Sequence, residues 1–297
     1  MTLGDNTRGI LYMNVSMLAF TVNDTFVKAV THSGMPLFQA IVLRGTITTI
    51  ALIAIALHQN GRLNLWPPGP DRVFLPLRTL GEVVATLTFL FALTHMPLAN
   101  LSAIMQSTPL AVTLMAALLL GAPIGWRRMV AILIGFGGVM LVVKPGAADF
   151  DEWSVVGMVS VAFVVLRDLA TRKFSRGLPS TTGAIWASVS VLAMGLIGVI
   201  WQGWQPVSGV QAAQIVAAGG FLIFGYMFAI MVMRVGDISI VAPFRYMSLL
   251  WAILLGWLLF GTLPDQWTLL GGAIVVASGI YMLLREGKRR LESTPAD

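Results

Sequence analysis

Ten apolar stretches, each roughly twenty residues long, follow one another with little between them, and that rhythm limits what the chain can become. A helix needs about 20 mostly apolar residues to cross the hydrocarbon of a bilayer. The breaks at Pro, Gly and charge clusters place spans near 9–30, 36–58, 73–94, 98–120, 129–144, 153–172, 180–201, 211–233, 238–260 and 266–284. Only 59–72 and 145–152 are real loops, and neither can hold a soluble domain. With 57% hydrophobic and 11% charged residues, the chain has more apolar surface than one water-soluble core can bury. The fold class is therefore all-α, integral to the membrane, with ten transmembrane helices.

Loop charge orients the bundle. With a cytoplasmic N-terminus, the inner segments carry Arg8, Arg62, Arg72, Arg127, Arg128, Arg172, Lys173, Arg176, Arg234, Arg285, Lys288, Arg289 and Arg290. The outer loops carry Lys144 at a span end, with Asp149, Asp151, Glu152 and Asp265. The positive-inside rule then predicts both termini in the cytoplasm, as an even span count requires. The same bias explains the net charge of +6 without nucleic acid, which would need a basic stripe on a polar domain.

The chain also resembles itself. AFTVND (19–24) parallels AFVVLRD (162–168), and LLLGAPIGW (118–126) parallels LLFGTLPDQW (258–267). THSGMP (31–36) is uncharged, whereas its copy KFSRGLP (173–179) is basic, as expected of loops on opposite sides. Residues 1–147 and 148–297 thus form two five-span repeats, and an odd number inverts the second. Inverted repeats suit alternating access around a midplane site. Gly81 with Ala85, Gly225 with Ala229, Ala273 with Ala277, and GFGG (135–138) are small-residue patterns expected at helix crossings.

Charges inside such spans are costly unless paired or wet, so each is a functional candidate. Asp24, Arg44, Glu82, Arg167, Asp168 and Arg245 lie deep, with Lys28 and Arg78 nearer span ends. Asp24 with Lys28, and Arg78 with Glu82, are four residues apart and can form local ion pairs. Arg167 and Asp168 are adjacent and point to different sides, which argues against mutual neutralisation. Arg44 and Arg245 offer forked donors for a carboxylate, and Arg44 needs Asp24 or a substrate as partner. Asp24, Glu82 and Asp168 can take an ammonium or a proton. Asn100, Gln106 and Tyr246 add neutral hydrogen-bonding groups. Pro109 and Pro243 fall inside the fourth and ninth spans and are expected to bend them. Trp186 and Trp251 are the deeper indoles.

Enzyme signatures are missing. There is no cysteine, HExxH or GxSxG, and His32, His58 and His95 are scattered, so no metal site is expected. An intramembrane acid–base enzyme using Asp24 and Asp168 is the remote alternative.

NDTFVK (23–28), VLRG (42–45), PLANLSAIMQSTPLAVTLMAALLLG (97–121), VVKPG (142–146), APFRYMSLLWAILLGWLLFG (242–261) and GGAIVVASGIYML (271–283) together resemble the drug/metabolite transporter superfamily, in particular its EamA-type members. The resemblance covers nearly the whole chain. It implies small organic metabolites as substrates, no cofactor, a bacterial inner-membrane location, and a central cavity on spans bearing Asp24, Glu82, Gln106, Asp168, Arg245 and Tyr246. Arg44 matches a recurrent second-span arginine. A ten-span duplicated chain can form a complete pathway as a monomer. Where members carry Glu after the glycine ending spans four and nine, this chain has Ala122 and Thr262. Amino-acid exporters and S-adenosylmethionine importers are the similar branches, and both substrates are α-amino acids.

Overall fold

The computed structural model describes residues 4–60, 65, 66, 69, 71–121, 124–146, 151–175, 178–232, 235 and 238–293. Arg62, Ala122, Asp149, Arg176 and Arg234 lie outside the described residues, as do the side chains of Lys288, Arg289 and Arg290.

Every regular element among the described residues is helical. In order they are α1 (Asp5–His32), α2 (Leu37–Asn60), α3 (Asp71–His95), α4 (Leu98–Met105), α5 (Thr108–Leu120), α6 (Trp126–Val143), α7 (Trp153–Arg172), α8 (Ser180–Gln202), α9 (Gly209–Val232), α10 (Ile238–Val241), a 3-10 turn (Ala242–Tyr246), α11 (Met247–Phe260) and α12 (Gln266–Ser293). Ten helical stretches are long and apolar enough to span a bilayer, with α4 and α5 joined as one and the 3-10 turn joined to α11. Large apolar residues are exposed while some polar ones are buried. Trp201 and Ile200 are about four-fifths exposed, whereas Ser16, Gln39, Asp71 and Ser160 are fully buried. Lipid as the surrounding solvent accounts for both facts.

The chain divides into two compact units, each drawing on both sequence halves, with the boundary in α1 between Val22 and Asn23. One unit comprises 23–95 and 156–223. Here α2 lies along α8 because Gly198 leaves room for the Phe38 ring and Gly195 for Ile41 and Val42. Helices α3 and α7 cross at Gly81, where a β-carbon would stand 2.9 Å from Arg167 N and 3.0 Å from Phe163 O. One turn on, Ser160 Oγ donates to the Ala85 carbonyl at 3.0 Å. Gln39 closes the far end by donating to Gln205 O at 2.8 Å and accepting from Gln205 N at 3.0 Å. Asp71, at the start of α3, accepts the Ser175 N–H at 2.9 Å. Helix α1 stops in a Schellman turn: Met35 N bonds Val30 O, Gly34 N bonds Thr31 O, and Gly34 takes φ 94°.

The other unit comprises 1–22, 96–155 and 224–297. Its spine is the pair α6 and α12, crossing at Gly138 and Gly271. A β-carbon on Gly138 would lie 2.7 Å from Gly271 O. Gly135 faces Leu110 and Ser278, while Gly137 meets nothing within 4 Å. Gly225 makes room for Phe20, and Ser16 Oγ donates to the Gly225 carbonyl at 2.9 Å. The small-residue seam of α12 departs from expectation. Ala273 and Ala277 are exposed, and the buried stripe is Gly271, Gly272, Val275, Ser278 and Gly279. Two overlapping small-residue patterns run along that helix, and only packing against α6 selects between them.

Outside the spans, Lys144 ends α6 at φ 51° and binds the Asp265 carboxylate, which also accepts the Thr268 N–H at 2.7 Å. Partial burial opposes the charge on Asp265. Lys144 and the Thr268 amide outweigh it and hold the carboxyl below its ordinary value. A depressed folded-state pKa stabilises above the ordinary carboxylate range and loses that contribution as pH falls through the folded value. Asp265→Asn is therefore expected to cost about 0.5 kcal/mol of stability at pH 7 for a pair this exposed, read as a slightly lower Tm. The Tm gap should close in scans taken below pH 4. A constant gap down to pH 3 would show the effect to be packing.

Candidate functional site

Three polar groupings stand within the apolar helices. The first joins α1 to α2. Arg44 Nη1 donates to Asn23 Oδ1 at 3.2 Å, and Asn23 Nδ2 donates to Asp24 Oδ1 at 2.9 Å. The amide thus relays between a guanidinium and a carboxylate, with Asn23 at 2% and Arg44 at 9% exposure. Four residues after Asp24, Lys28 sends its ammonium to the Leu93 carbonyl on α3 at 2.6 Å. The sequence pointed to Asp24 and Arg44 but passed over Asn23, although an amide beside a carboxylate was visible in NDTFVK.

The second grouping ties α3 to α7, and the Gly81 crossing makes it possible by bringing the Arg167 backbone against α3. Arg167 stands 3.6 Å from Glu82 and Arg78 stands 3.6 Å from the same carboxylate. Arg78 also donates to the Gly183 carbonyl at 3.0 Å. Contrary to the expectation from adjacency, Arg167 folds back on Asp168, with Nε and Nη2 each 2.9 Å from Oδ1. The long arginine side chain spans the angle that separates neighbouring positions on a helix. Glu82 and Asp168 are thus brought together through one guanidinium.

The third grouping lies in the other unit, where the fourth and ninth spans are interrupted. Pro109 has no N–H for the Met105 carbonyl, and α4 gives way to α5 across Gln106 and Ser107. Thr108 Oγ1 donates to Met105 O at 2.6 Å and Ser107 Oγ to Ile104 O at 2.7 Å, so hydroxyls replace lost ladder bonds. Pro243 opens the 3-10 turn of the ninth span. Gln106 links the two interruptions by donating to Tyr246 O at 3.2 Å and Ser248 Oγ at 2.8 Å. Gly121 and Gly261, 140 residues apart as Gln106 and Tyr246 are, end their spans with φ 65° and 64°. Ser248, Ser107 and Thr108 escaped the sequence reading because hydroxyls are common in spans for many reasons.

Arg245 differs from expectation in depth. It occupies the first turn of the ninth span and is exposed, while its neighbour Tyr246 is buried at 4%. The Tyr246 hydroxyl has no hydrogen-bond partner among the described residues and abuts Gly279. Asn100 Oδ1 and the Trp251 indole N–H are likewise unsatisfied there. Trp186, expected deep, donates to Leu65 O at 2.8 Å, in the segment before α3. Tyr246→Phe removes an unpaired buried hydroxyl, so stability should hold or rise by up to about 1 kcal/mol, read as an unchanged or higher Tm. A drop in Tm would reveal a partner for that oxygen. Among the described residues no His, Asp or Glu grouping is suited to a metal ion.

Comparison with known proteins bears on the fold and the family. A solved crystal structure superposes with TM-score 0.62 at 22% identity, over 96% of this chain and 99% of its own, which bears on the fold alone. The Vibrio cholerae riboflavin transporter is 27% identical, over 95% of both chains. The Pseudomonas aeruginosa pseudopaline exporter is 25% identical, over 92% of this chain and 95% of its own. The Rickettsia prowazekii S-adenosylmethionine uptake transporter is 24% identical, over 94% of each. The EamA-like transporter family matches twice, at residues 7–144 and 152–285. The ten apolar helices and this double match make the chain a multi-pass membrane protein that belongs to the EamA-like transporter family of the drug/metabolite transporter superfamily.

Proposed function

We propose that this protein exports small amphiphilic amino acids, aromatic ones included, across the bacterial inner membrane by alternating access. The observation carrying the proposal is the buried Arg44–Asn23–Asp24 relay on α1 and α2. Arg44 matches an α-carboxylate, and Asp24 an α-ammonium. Gln106, Glu82, Asp168, Arg245 and Tyr246 complete the proposed contacts, and the interruptions at Pro109 and Pro243 supply bending points. The halves 1–147 and 148–297 serve as inverted repeats, with both termini cytoplasmic and the monomer as working unit. The equal backbone turns at Gly121 and Gly261 support that symmetry.

S-adenosylmethionine uptake is the second reading. It is favoured by the relatives of that name and by the same need for a carboxylate anchor and an ammonium acceptor. Counterflow into liposomes preloaded with unlabelled substrate separates the two. Labelled phenylalanine should accumulate, and Asp24→Asn should slow it at least about tenfold, the loss of one charge-assisted contact. Accumulation of S-adenosylmethionine alone would select uptake. An unchanged rate in Asp24→Asn would make that carboxylate structural.

A further inference from the structure

Helix α3 ends on a carbonyl that loses its regular ladder donor. Leu93 O would accept from residue 97, four positions on, and that residue is a proline without an N–H. Leu93 is fully buried, where a carbonyl without a donor is costly. The donor comes from α1: Lys28, at 4% exposure, brings Nζ to 2.6 Å from Leu93 O. A charge-assisted bond of this kind is about twice as strong as a neutral one, and a helix C-terminus favours a cation further.

Lys28 is five residues from Asn23, which sets the two side chains about 140° apart around α1 at 3.6 residues per turn. Asn23 accepts from Arg44 on α2, whereas Lys28 donates to α3. Two polar anchors on different sides, to different helices, fix the rotation of α1 about its own axis. Apolar packing alone does not. Val27 and Val30 are buried as well, but lipid is as apolar as they are and does not penalise their turning outward. A rotation by one position, about 100°, would carry Asn23 off the Arg44 guanidinium and take the Asp24 carboxylate with it. Asn23, Asp24, Lys28, Arg44 and Leu93 all belong to the same compact unit.

We propose that Lys28 is a positioning residue for the Arg44–Asn23–Asp24 relay. Its bond to Leu93 O sets the rotation of α1 at which Asn23 meets Arg44 and, resting on the export function proposed above, Asp24 meets the substrate. Lys28 acts through the relay and does not itself touch substrate. Removing it therefore weakens binding, and its loss and a change in the relay share one effect.

The test is a pair of double-mutant cycles on the full-length protein. In detergent, without substrate, Lys28→Met and Arg44→Met should each lower Tm. The double variant should fall short of the summed losses by at least about 3 °C. In liposomes, Lys28→Met should raise the half-saturation concentration for phenylalanine counterflow about tenfold and leave the maximal rate within about twofold. Added to Asp24→Asn, it should bring less than about a further twofold loss. Additive Tm losses would overturn the proposal, as would a maximal rate that falls at unchanged half-saturation; either makes Lys28 a brace for overall stability. Should Lys28→Met not survive extraction, Lys28→Gln enters the same cycles, with a donor one bond too short for the 2.6 Å contact. A wild type that does not accumulate phenylalanine would refute the export reading alone, and the Tm cycle would still decide on Lys28.

Discussion

Gly138→Val should leave the protein unable to survive extraction and heating as a monodisperse species, whereas Gly137→Val, one residue away, should fold. A β-carbon at Gly138 would overlap the Gly271 carbonyl at 2.7 Å and press on Ile274 at 3.0 Å, and both obstacles are rigid. At Gly137 the same carbon meets open space on an exposed helix face. Overpacking costs about 1–3 kcal/mol when neighbours can yield. Here the obstacle is backbone, so α6 and α12 must separate and the cost passes that range. Even Gly138→Ala should lower Tm, while Gly137→Ala should hold or raise it through better helix propensity. Gel-filtration profiles and Tm for the four variants decide the matter; equal behaviour at 137 and 138 would refute the crossing.

The second large effect is expected at Arg44. Arg44→Met takes the guanidinium from Asn23 Oδ1 and leaves the Asp24 carboxylate without that cation. Removing one member of a buried charged pair costs about 3–5 kcal/mol, mostly the penalty on the member left behind. The neighbouring amide keeps one bond to the carboxylate, which places the loss at about 3 kcal/mol. Arg44→Met/Asp24→Asn should recover most of that stability, because neither charge then remains, yet counterflow should stay lost. Arg44→Lys should restore the charge and little transport, since an ammonium lacks the fork. Wild-type counterflow in Arg44→Met would remove this arginine from any substrate site.

Spans were legible because lipid demands long uninterrupted apolar runs, and each run announces itself locally. Breaks at the fourth and ninth spans could be anticipated at Pro109 and Pro243, since a missing N–H acts within one turn. That Gln106 would link the two interruptions could not, because its partners lie 140 and 142 residues away. Arg167 misled because adjacency fixes the direction of Cβ and leaves the reach of the three methylenes and the guanidinium undetermined. Ala273 and Ala277 misled because spacing alone cannot say which of two small-residue faces meets another helix.

The sequence by itself determined the solvent, the number of crossings, the twofold repetition and the family, since all four are written as composition, period or local identity. Only the tertiary structure decided that Asn23 stands between Arg44 and Asp24, that Arg167 serves Glu82 and Asp168 together, and that α6 and α12 touch at Gly138 and Gly271. These contacts join positions far apart in the chain. Their geometry depends on which helix faces turn toward each other, and in lipid, where both faces of a helix are apolar, hydrophobic pattern does not encode that choice.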